Sequence, residues 1–179
     1  MTLSVMLDIE TLGLTPNCVI LSLGAVKFNP REGIIYPGGL HLILDVNQQL
    51  EVGRAVDETT VEWWSKQHPQ VIEVALSEHN RISLESFNAS FNKFLVGVDE
   101  IWAQGPAFDI VILENLYTQM GWPKPWHHWQ IRDSRTLFAV HGDKRIKHQE
   151  KMHNALEDAK SQAQAVIGVF EKLNLTIDS

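Results

Sequence analysis

Residues 3–11 are the segment that most constrains the fold of this chain, because apolar and polar side chains alternate there with the period of a β-strand. Two carboxylates, Asp8 and Glu10, are separated by one residue and therefore lie on the same face of that strand. Placing two like charges on a buried face is costly unless a cation binds them or the strand end is exposed to solvent. The segment therefore predicts either a site for a hard divalent cation or a solvated strand end.

The length, cysteine content and charge of the chain limit the classes of protein to which it can belong. The 179 residues are enough for one core, so we expect residues 1–179 to form a single domain. The one cysteine, Cys18, lies in an apolar run and is expected to be a buried thiol, which suits a reducing compartment. The formal net charge of -7 disfavours tight binding to long duplexes. It does not exclude an enzyme that acts on nucleic acids, because carboxylates that bind cations contribute to that charge.

The chain shows no targeting or membrane-spanning pattern. The charged Asp8 occurs before the apolar core of a signal peptide could form. No apolar run approaches the roughly 18 residues of a membrane-spanning helix. We therefore expect a soluble, cytoplasmic protein with no membrane partner.

Periodicity and turn residues predict an α/β arrangement. Strands are expected at residues 3–11, 19–28 and 34–44, the last interrupted by Pro37, Gly38 and Gly39, and their short connections predict antiparallel pairing. Helical patterns follow from residue 46 to 95, with one helix opened by a capping box at residues 59–62. A short strand at residues 100–104 precedes a helix that ends near residue 121, and the final helix begins at residue 154.

Three further polar residues stand out from this pattern. Asp158 falls on the apolar stripe of the final helix, where a carboxylate needs a cation or an arginine as partner. His153 stands just before that helix and could project over the same pocket, although a lone histidine is more often a surface residue. Asp109 follows the strand at residues 100–104, and its simplest interpretation is the N-cap of the next helix.

Three motifs occur in an order that resembles the DEDDh family of 3′-to-5′ exonucleases. They are Asp8-x-Glu10 on the first strand, Gln104-Gly105-Pro106-Ala107-Phe108-Asp109, and His153-Asn154-Ala155-Leu156-Glu157-Asp158-Ala159. The three together are far more specific than any one of them. Within that family the chain is most similar to the small single-domain DexA-like exonucleases of phages and bacteria and to related exoribonucleases. The similarity includes Trp63-Trp64 and Asp133-Ser134-Arg135-Thr136-Leu137.

The resemblance implies a fold and a reaction. The fold would be RNase H-like, with a mixed sheet whose first three strands are antiparallel and whose faces are flanked by helices. The activity would be removal of 5′-mononucleotides from the free 3′ end of single-stranded DNA or RNA, with two Mg²⁺ or Mn²⁺ ions. By resemblance, Asp8 would bridge both ions, Glu10 and Asp158 would complete one of them, and Asp109 would support the other. His153 would then be the general base for the attacking water.

Residues beside these motifs are candidates for substrate binding. Thr11 could contact the terminal nucleotide or cap the turn after the first strand, and Phe108 lies within the second motif. Asp133 and Arg135 could order the site or contact phosphate, and Asp133 could instead cap a helix. Aromatic stacking surfaces for unpaired bases are offered by Trp63, Trp64, Trp102, Trp126 and Trp129, although each is more often a core residue. A basic run could steer phosphate or be a solvated loop: Lys144, Arg145, Lys147, His148 and Lys151.

Two other functions and an oligomeric state remain open from the sequence. One alternative is a metal-free module that holds single-stranded ends without cleaving them. The other is a small-nucleotide phosphohydrolase that uses the same two ions. A homodimer is also expected, both from the resemblance and because residues 122–129 are rich in aromatic side chains that a monomer would have difficulty covering. The choice between DNA and RNA depends on contacts to the 2′-hydroxyl, which no residue type in the sequence identifies.

Overall fold

The computed structural model describes residues 2–141 and 153–175, and the predicted basic run at residues 144–151 lies outside them. Strands in this part of the chain are β1 (Ser4–Thr11), β2 (Ile20–Asn29), β3 (Ile34–Ile35), β4 (Leu40–Ile43), β5 (Glu100–Ala103) and β6 (Ile131–Asp133). Helices are α1 (Val46–Glu51), α2 (Glu58–Ser65), α3 (Pro69–Leu76), α4 (Leu84–Phe94), α5 (Pro106–Gln119), α6 (Ser134–His141) and α7 (Ala155–Lys172). No helix in these two segments is both long and apolar enough to cross a membrane.

The strands form one mixed sheet in the order β3-β2-β1-β5-β6, and β4 pairs with β2 as well. β1 is antiparallel to β2, and β2 is antiparallel to β3 and β4, which confirms the predicted antiparallel start. β1 also pairs in parallel with β5, and β5 in parallel with β6, so the sheet is mixed from its first strand. The carboxyl ends of β1, β5 and β6 therefore meet at one edge of the sheet.

Several predicted elements have different limits in the structure. The third predicted strand is two separate strands, β3 and β4, because Pro37, Gly38 and Gly39 interrupt the pairing with β2. β6 was not predicted, since its three residues are too few to show a period. The capping box predicted at residues 59–62 is wrong: the N-cap of α2 is Asp57, whose carboxylate accepts hydrogen bonds from the Thr59 and Thr60 amides, so the helix begins at Glu58.

The N-cap prediction for Asp109 is wrong. Gly105 occupies the N-cap position of α5 with a left-handed φ of 100°, and Pro106 is the first helical residue. Asp109 therefore lies within the first turn of α5, where its carboxylate turns toward β1 instead of capping its own helix.

The two faces of the sheet bury different parts of β1. Val5, Leu7 and Ile9 pack into a core that includes residues of α4 and α5. Met6 faces the opposite side and packs into the core that α7 covers. Alternation along the strand then places Asp8 and Glu10 on the α7 side, as the sequence pattern predicts.

The tryptophans of the two cores do not offer stacking surfaces. Trp102 is buried against Phe28 and Phe170, and Trp126 is buried against Phe91 and Tyr117. The predicted role of Trp102 and Trp126 in base stacking is therefore wrong. The monomer itself also covers Trp126, one of the aromatic residues on which the expected homodimer partly rested.

Gly24 permits a close approach between α7 and the sheet. It is the β2 residue paired with Asp8. A Cβ atom added to Gly24 would lie 2.1 Å from the carbonyl carbon of Ala155 and 2.1 Å from the amide nitrogen of Leu156. Only glycine leaves room for the first turn of α7 at this distance, and that turn carries Asp158 to the acidic face of β1.

Candidate active site

Three carboxylates converge between β1 and α7. Each of Asp8, Glu10 and Asp158 offers an oxygen atom, and these atoms all lie within 4.8 Å of one another. Asp109 approaches from α5, where its Oδ1 atom accepts a hydrogen bond of 3.2 Å from the backbone N–H of Ile9. The structure thus brings together all four acidic residues that the sequence motifs single out. Asp109 is hydrogen-bonded to Ile9, the β1 residue between Asp8 and Glu10.

The protonation of this cluster is strongly perturbed. Burial raises the pKa of Asp8 well above its ordinary value, and the charges of Asp109, Glu10 and Asp158 raise it further. Burial, followed by the charges of Asp158 and Asp109, raises the pKa of Glu10 to about 8. Burial also raises the pKa of Asp109 to about 7, although the Ile9 amide and the charge of Arg135 oppose this shift. The cluster on its own therefore retains protons near neutral pH.

A hard divalent cation fits these residues. The donor atoms are carboxylate oxygens, which Mg²⁺ and Mn²⁺ prefer over nitrogen or sulfur. Burial and mutual repulsion raise the pKa values of Asp8 and Glu10, and a bound cation would oppose both effects by stabilising the ionised carboxylates. The type of donor atom and the electrostatics of the site therefore both favour a bound divalent cation.

His153 lies beside the cluster, as predicted. Its backbone N–H donates a hydrogen bond of 2.9 Å to the Asp158 Oδ2 atom, and its φ of 64° is in the left-handed region. The imidazole packs edge-on against Trp63, with ring centres 4.8 Å apart, and against Trp64 at 6.0 Å. Burial lowers the pKa of His153, against the opposing charge of Asp158, so the ring is able to accept a proton at neutral pH.

A cavity of about 430 Å³ opens next to the carboxylates. It is largely apolar, and Glu10 is the acidic residue among those that line it. The lining residues are Ile9, Glu10, Thr11, Leu14, Thr59, Thr60, Trp63, Trp64 and Phe108. Phe108 and Trp63, both predicted to bind substrate, therefore face the same space, and 42% of the Trp63 surface is exposed.

Thr11 and Trp64 play structural parts beside this cavity. The Thr11 hydroxyl donates a hydrogen bond of 2.7 Å to the Gly13 carbonyl, which supports the turn-capping interpretation. The Trp64 indole N–H donates to the Thr11 carbonyl at 2.9 Å, and only 1% of the Trp64 surface is exposed. Trp64 still lines the cavity, but so little of its surface is exposed that Trp63 offers far more ring area for stacking.

Asp133 and Arg135 organise the Asp109 side of the site. The Asp133 carboxylate accepts hydrogen bonds from the Arg135 amide at 2.9 Å, the Thr136 hydroxyl at 2.6 Å and the Gly105 amide at 3.2 Å. These contacts confirm that Asp133 caps α6, and they also attach α6 to the residue that precedes α5. The Arg135 guanidinium donates to the Gln104 carbonyl at 3.1 Å, and its charge lowers the pKa of Asp109.

Some residues of the site are not evident from the sequence. Leu14, Thr59 and Thr60 line the cavity. They belong to a turn and to the start of a helix, and no local sequence pattern shows that these segments pack beside the carboxylates. Gln162 donates a hydrogen bond to Asp8. An amide on the apolar stripe of α7, four residues after Asp158, was the signal that could have identified it.

Comparison with known proteins finds similarity to exonucleases. The model of the 3′-5′ exoribonuclease Rv2179c-like domain matches residues 3–170. An exodeoxyribonuclease of enterobacteria phage T4 is 24% identical over 122 residues, which is 62% of this chain and 53% of that protein. This chain therefore spans about half the length of that curated relative.

Solved structures show the same fold at low identity. E. coli exonuclease I in complex with a dA16 oligonucleotide aligns with a TM-score of 0.69 and 13% identity, over 98% of this chain and 42% of that one. The nuclease domain of 3′hExo, a DEDDh family member bound to rAMP, aligns with a TM-score of 0.62 and 9% identity, over 95% of this chain and 92% of that one. These similarities confirm the RNase H-like exonuclease fold. Because the family model covers residues 3–170, this chain belongs to the Rv2179c-like family of 3′-5′ exoribonuclease domains.

Proposed function

We propose that this chain is a divalent-metal-dependent 3′-to-5′ exonuclease that releases 5′-mononucleotides from single-stranded nucleic acid with a free 3′ end. The observation that carries the proposal is the convergence of the carboxylates of Asp8, Glu10 and Asp158 beside His153. Membership of the exoribonuclease family supports the reaction type. RNA is the substrate that the family description names, and DNA is the one that the T4 relative's name gives.

The four acidic residues would hold two Mg²⁺ or Mn²⁺ ions. Asp8 would contribute to both, Glu10 and Asp158 to one, and Asp109 to the other. When bound, such ions stabilise negative charge on the attacking and leaving oxygens of a phosphodiester. The raised pKa of Glu10 supports this assignment, because burial and the charges of Asp158 and Asp109 disfavour the ionised form that a bound cation would stabilise.

His153 would act as the general base. An imidazole nitrogen would take a proton from the attacking water, the water oxygen would bond to phosphorus, and the bond from phosphorus to the 3′-oxygen would break, with the departing 3′-oxygen taking a proton from solvent to become the 3′-hydroxyl of the shortened strand. The lowered pKa of His153 supports this role, since a neutral ring is required to accept the proton. Trp63 and Trp64 limit the positions that the ring can take.

The cavity beside Glu10 would receive the terminal nucleotide. Its volume of about 430 Å³ is within the range of pockets that bind small ligands. Phe108 and Trp63 would supply aromatic surface for a base, and because Glu10 lines the same cavity the adjoining phosphodiester would lie at the carboxylates. Arg135, on the Asp109 side, would order the site through the Gln104 carbonyl.

Digestion of labelled oligonucleotides tests the proposal. Single-stranded RNA and DNA of one sequence, labelled at the 5′ end, are incubated with Mg²⁺ or with Mn²⁺. Stepwise shortening from the 3′ end with release of 5′-mononucleotides is the expected result, and Asp8→Asn should abolish it. Binding without cleavage would instead indicate a module that holds single-stranded ends. Release of inorganic phosphate from small nucleotides would indicate a phosphohydrolase.

We also propose that residues 1–179 act as one domain, in a cytoplasmic homodimer. The described surface near residue 129 supports association, because 61% of Trp129 is exposed and its ring stacks on His127 at 4.2 Å. The buried, unpaired Cys18 supports a reducing compartment. Light scattering tests the assembly, since a dimer has twice the 20.3 kDa mass of one chain. A monomer mass at all micromolar concentrations would rule out the dimer.

A further inference from the structure

Gln162 is a buried amide attached to the carboxylate cluster. It lies on α7 one turn after Asp158, and only 3% of its surface is exposed. Its Nε2 atom donates a hydrogen bond of 2.8 Å to the Asp8 Oδ1 atom. Its Oε1 atom is also buried, and within the part of the chain that the structure describes it accepts no hydrogen bond.

This arrangement is unfavourable for packing alone. The neighbours of Gln162 on the buried side of α7 are mainly alanine and aliphatic residues. A leucine or methionine would fill the same space without burying an amide oxygen that lacks a donor. The polar amide therefore indicates a role other than packing. Its hydrogen bond to Asp8 indicates that this role concerns the carboxylate cluster.

The amide suits Asp8 better than any charged side chain would. A lysine at this position would neutralise Asp8 and compete with a cation for it. A glutamate would add a further negative charge to a cluster whose members already repel one another. A glutamine fixes one carboxylate oxygen by donation and leaves the negative charge of Asp8 in place for a metal ion.

We propose that Gln162 is a positioning residue of the metal site. Its Nε2 atom fixes the orientation of the Asp8 carboxylate, so that the remaining lone pairs face the cluster. Its buried Oε1 atom, which accepts no hydrogen bond from the described residues, would be available to accept one from a water bound to such a cation. The inference rests on the proposed function, because it requires a cation at Asp8.

The test compares Gln162→Met with Gln164→Met. Methionine has nearly the length and volume of glutamine but no donor, and Gln164 is exposed on the same helix, which makes it the matched control. Mn²⁺ binding is measured by calorimetry on the metal-free protein, together with its melting temperature and with kcat and KM on an oligonucleotide. We expect Gln162→Met to weaken Mn²⁺ binding about 10-fold or more and to lower kcat by about 10- to 100-fold. KM and the melting temperature of the metal-free protein should stay close to those of Gln164→Met.

Other outcomes separate this inference from the proposed function. Mn²⁺ affinity and kcat in Gln162→Met equal to those of Gln164→Met would overturn the role of Gln162 while leaving the metal site intact. A lower melting temperature with unchanged Mn²⁺ affinity would assign Gln162 to packing and would overturn it equally. If the wild-type protein binds no Mn²⁺, the proposed function fails and the inference fails with it.

A second variant covers the case in which Gln162→Met does not fold. Gln162→Asn keeps the amide but withdraws it from Asp8 by one carbon, so Mn²⁺ binding should weaken in the same direction. Asp8→Asn is the reference for complete loss of the site. Wild-type Mn²⁺ affinity in Gln162→Asn would show that the 2.8 Å contact with Asp8 has no effect on the metal.

Discussion

The raised pKa of Glu10 predicts that the metal-free protein loses stability as the pH rises. The folded protein holds this proton with a pKa of about 8, whereas the ordinary value is 4.5. Between these two values the folded state binds more protons than the unfolded state, so the free energy of unfolding is largest at low pH. It should fall by up to about 1.4 kcal/mol per pH unit for this one group and level off above about pH 8.

The expected size of the effect is measurable. Across pH 5 to 7, Glu10 alone accounts for a loss of about 2 to 3 kcal/mol in the free energy of unfolding. For a chain of this length that corresponds to a fall of roughly 5 to 10 °C in melting temperature. Asp109, whose pKa is raised to about 7, acts in the same direction. The carboxylates titrate as a coupled set, so their losses combine to less than the sum of separate effects.

Thermal unfolding in the presence of a chelator, from pH 5 to 8.5, checks this prediction. Glu10→Gln is the matched variant, because it keeps the size of the side chain and cannot ionise. Subtracting its curve from that of the wild type removes the contributions of other titrating groups. Saturating Mn²⁺ should flatten the wild-type curve, since the cation replaces the protons. Parallel curves for the wild type and Glu10→Gln would refute the argument from burial and repulsion.

Three further predictions concern activity and assembly of the site. His153→Gln should lower kcat by about 10² to 10⁴ and leave Mn²⁺ affinity unchanged by calorimetry, and a normal rate would remove His153 from the reaction. Gly24→Ala should lower the melting temperature and weaken Mn²⁺ binding, because its methyl group collides with the α7 backbone at Ala155. Wild-type Mn²⁺ binding in that variant would contradict the close approach. Trp63→Leu should raise KM for an oligonucleotide several-fold with little change in melting temperature, since Trp63 is partly exposed and lines the cavity, and an unchanged KM would argue against binding there.

Local patterns were sufficient for some parts of the fold and site. The alternation around Asp8 and Glu10 depends only on the period of a strand, and the structure places both on the face that it predicts. The final helix, predicted to begin at residue 154, begins at Ala155 with Asn154 as its N-cap, because the Asn154 side chain accepts a hydrogen bond from the Glu157 amide three residues later. Such features are determined by neighbours in the sequence, and the structure agrees with them.

Features set by tertiary packing could not be predicted in this way. Trp64 and Trp63 are adjacent in the sequence, yet one is buried and the other exposed, because only one of them faces β1. The sequence pattern favours Asp109 as a helix N-cap, but α5 has Gly105 as its N-cap, so Asp109 lies inside the helix. The contact between Gln162 and Asp8 joins residues 154 positions apart, and no local period connects them.

The docking of α7 on β1 and β2 also has a consequence for synthesis. Asp8 and Glu10 leave the ribosome early, whereas Asp158 and Gln162 are made about 150 positions later. The site therefore stays incomplete on a nascent chain until the last helix has emerged and packed beneath Gly24. An unfinished or truncated polypeptide that lacks α7 would have only part of the carboxylate cluster. Metal binding by the complete cluster would then be a sign that α7 has packed against β1.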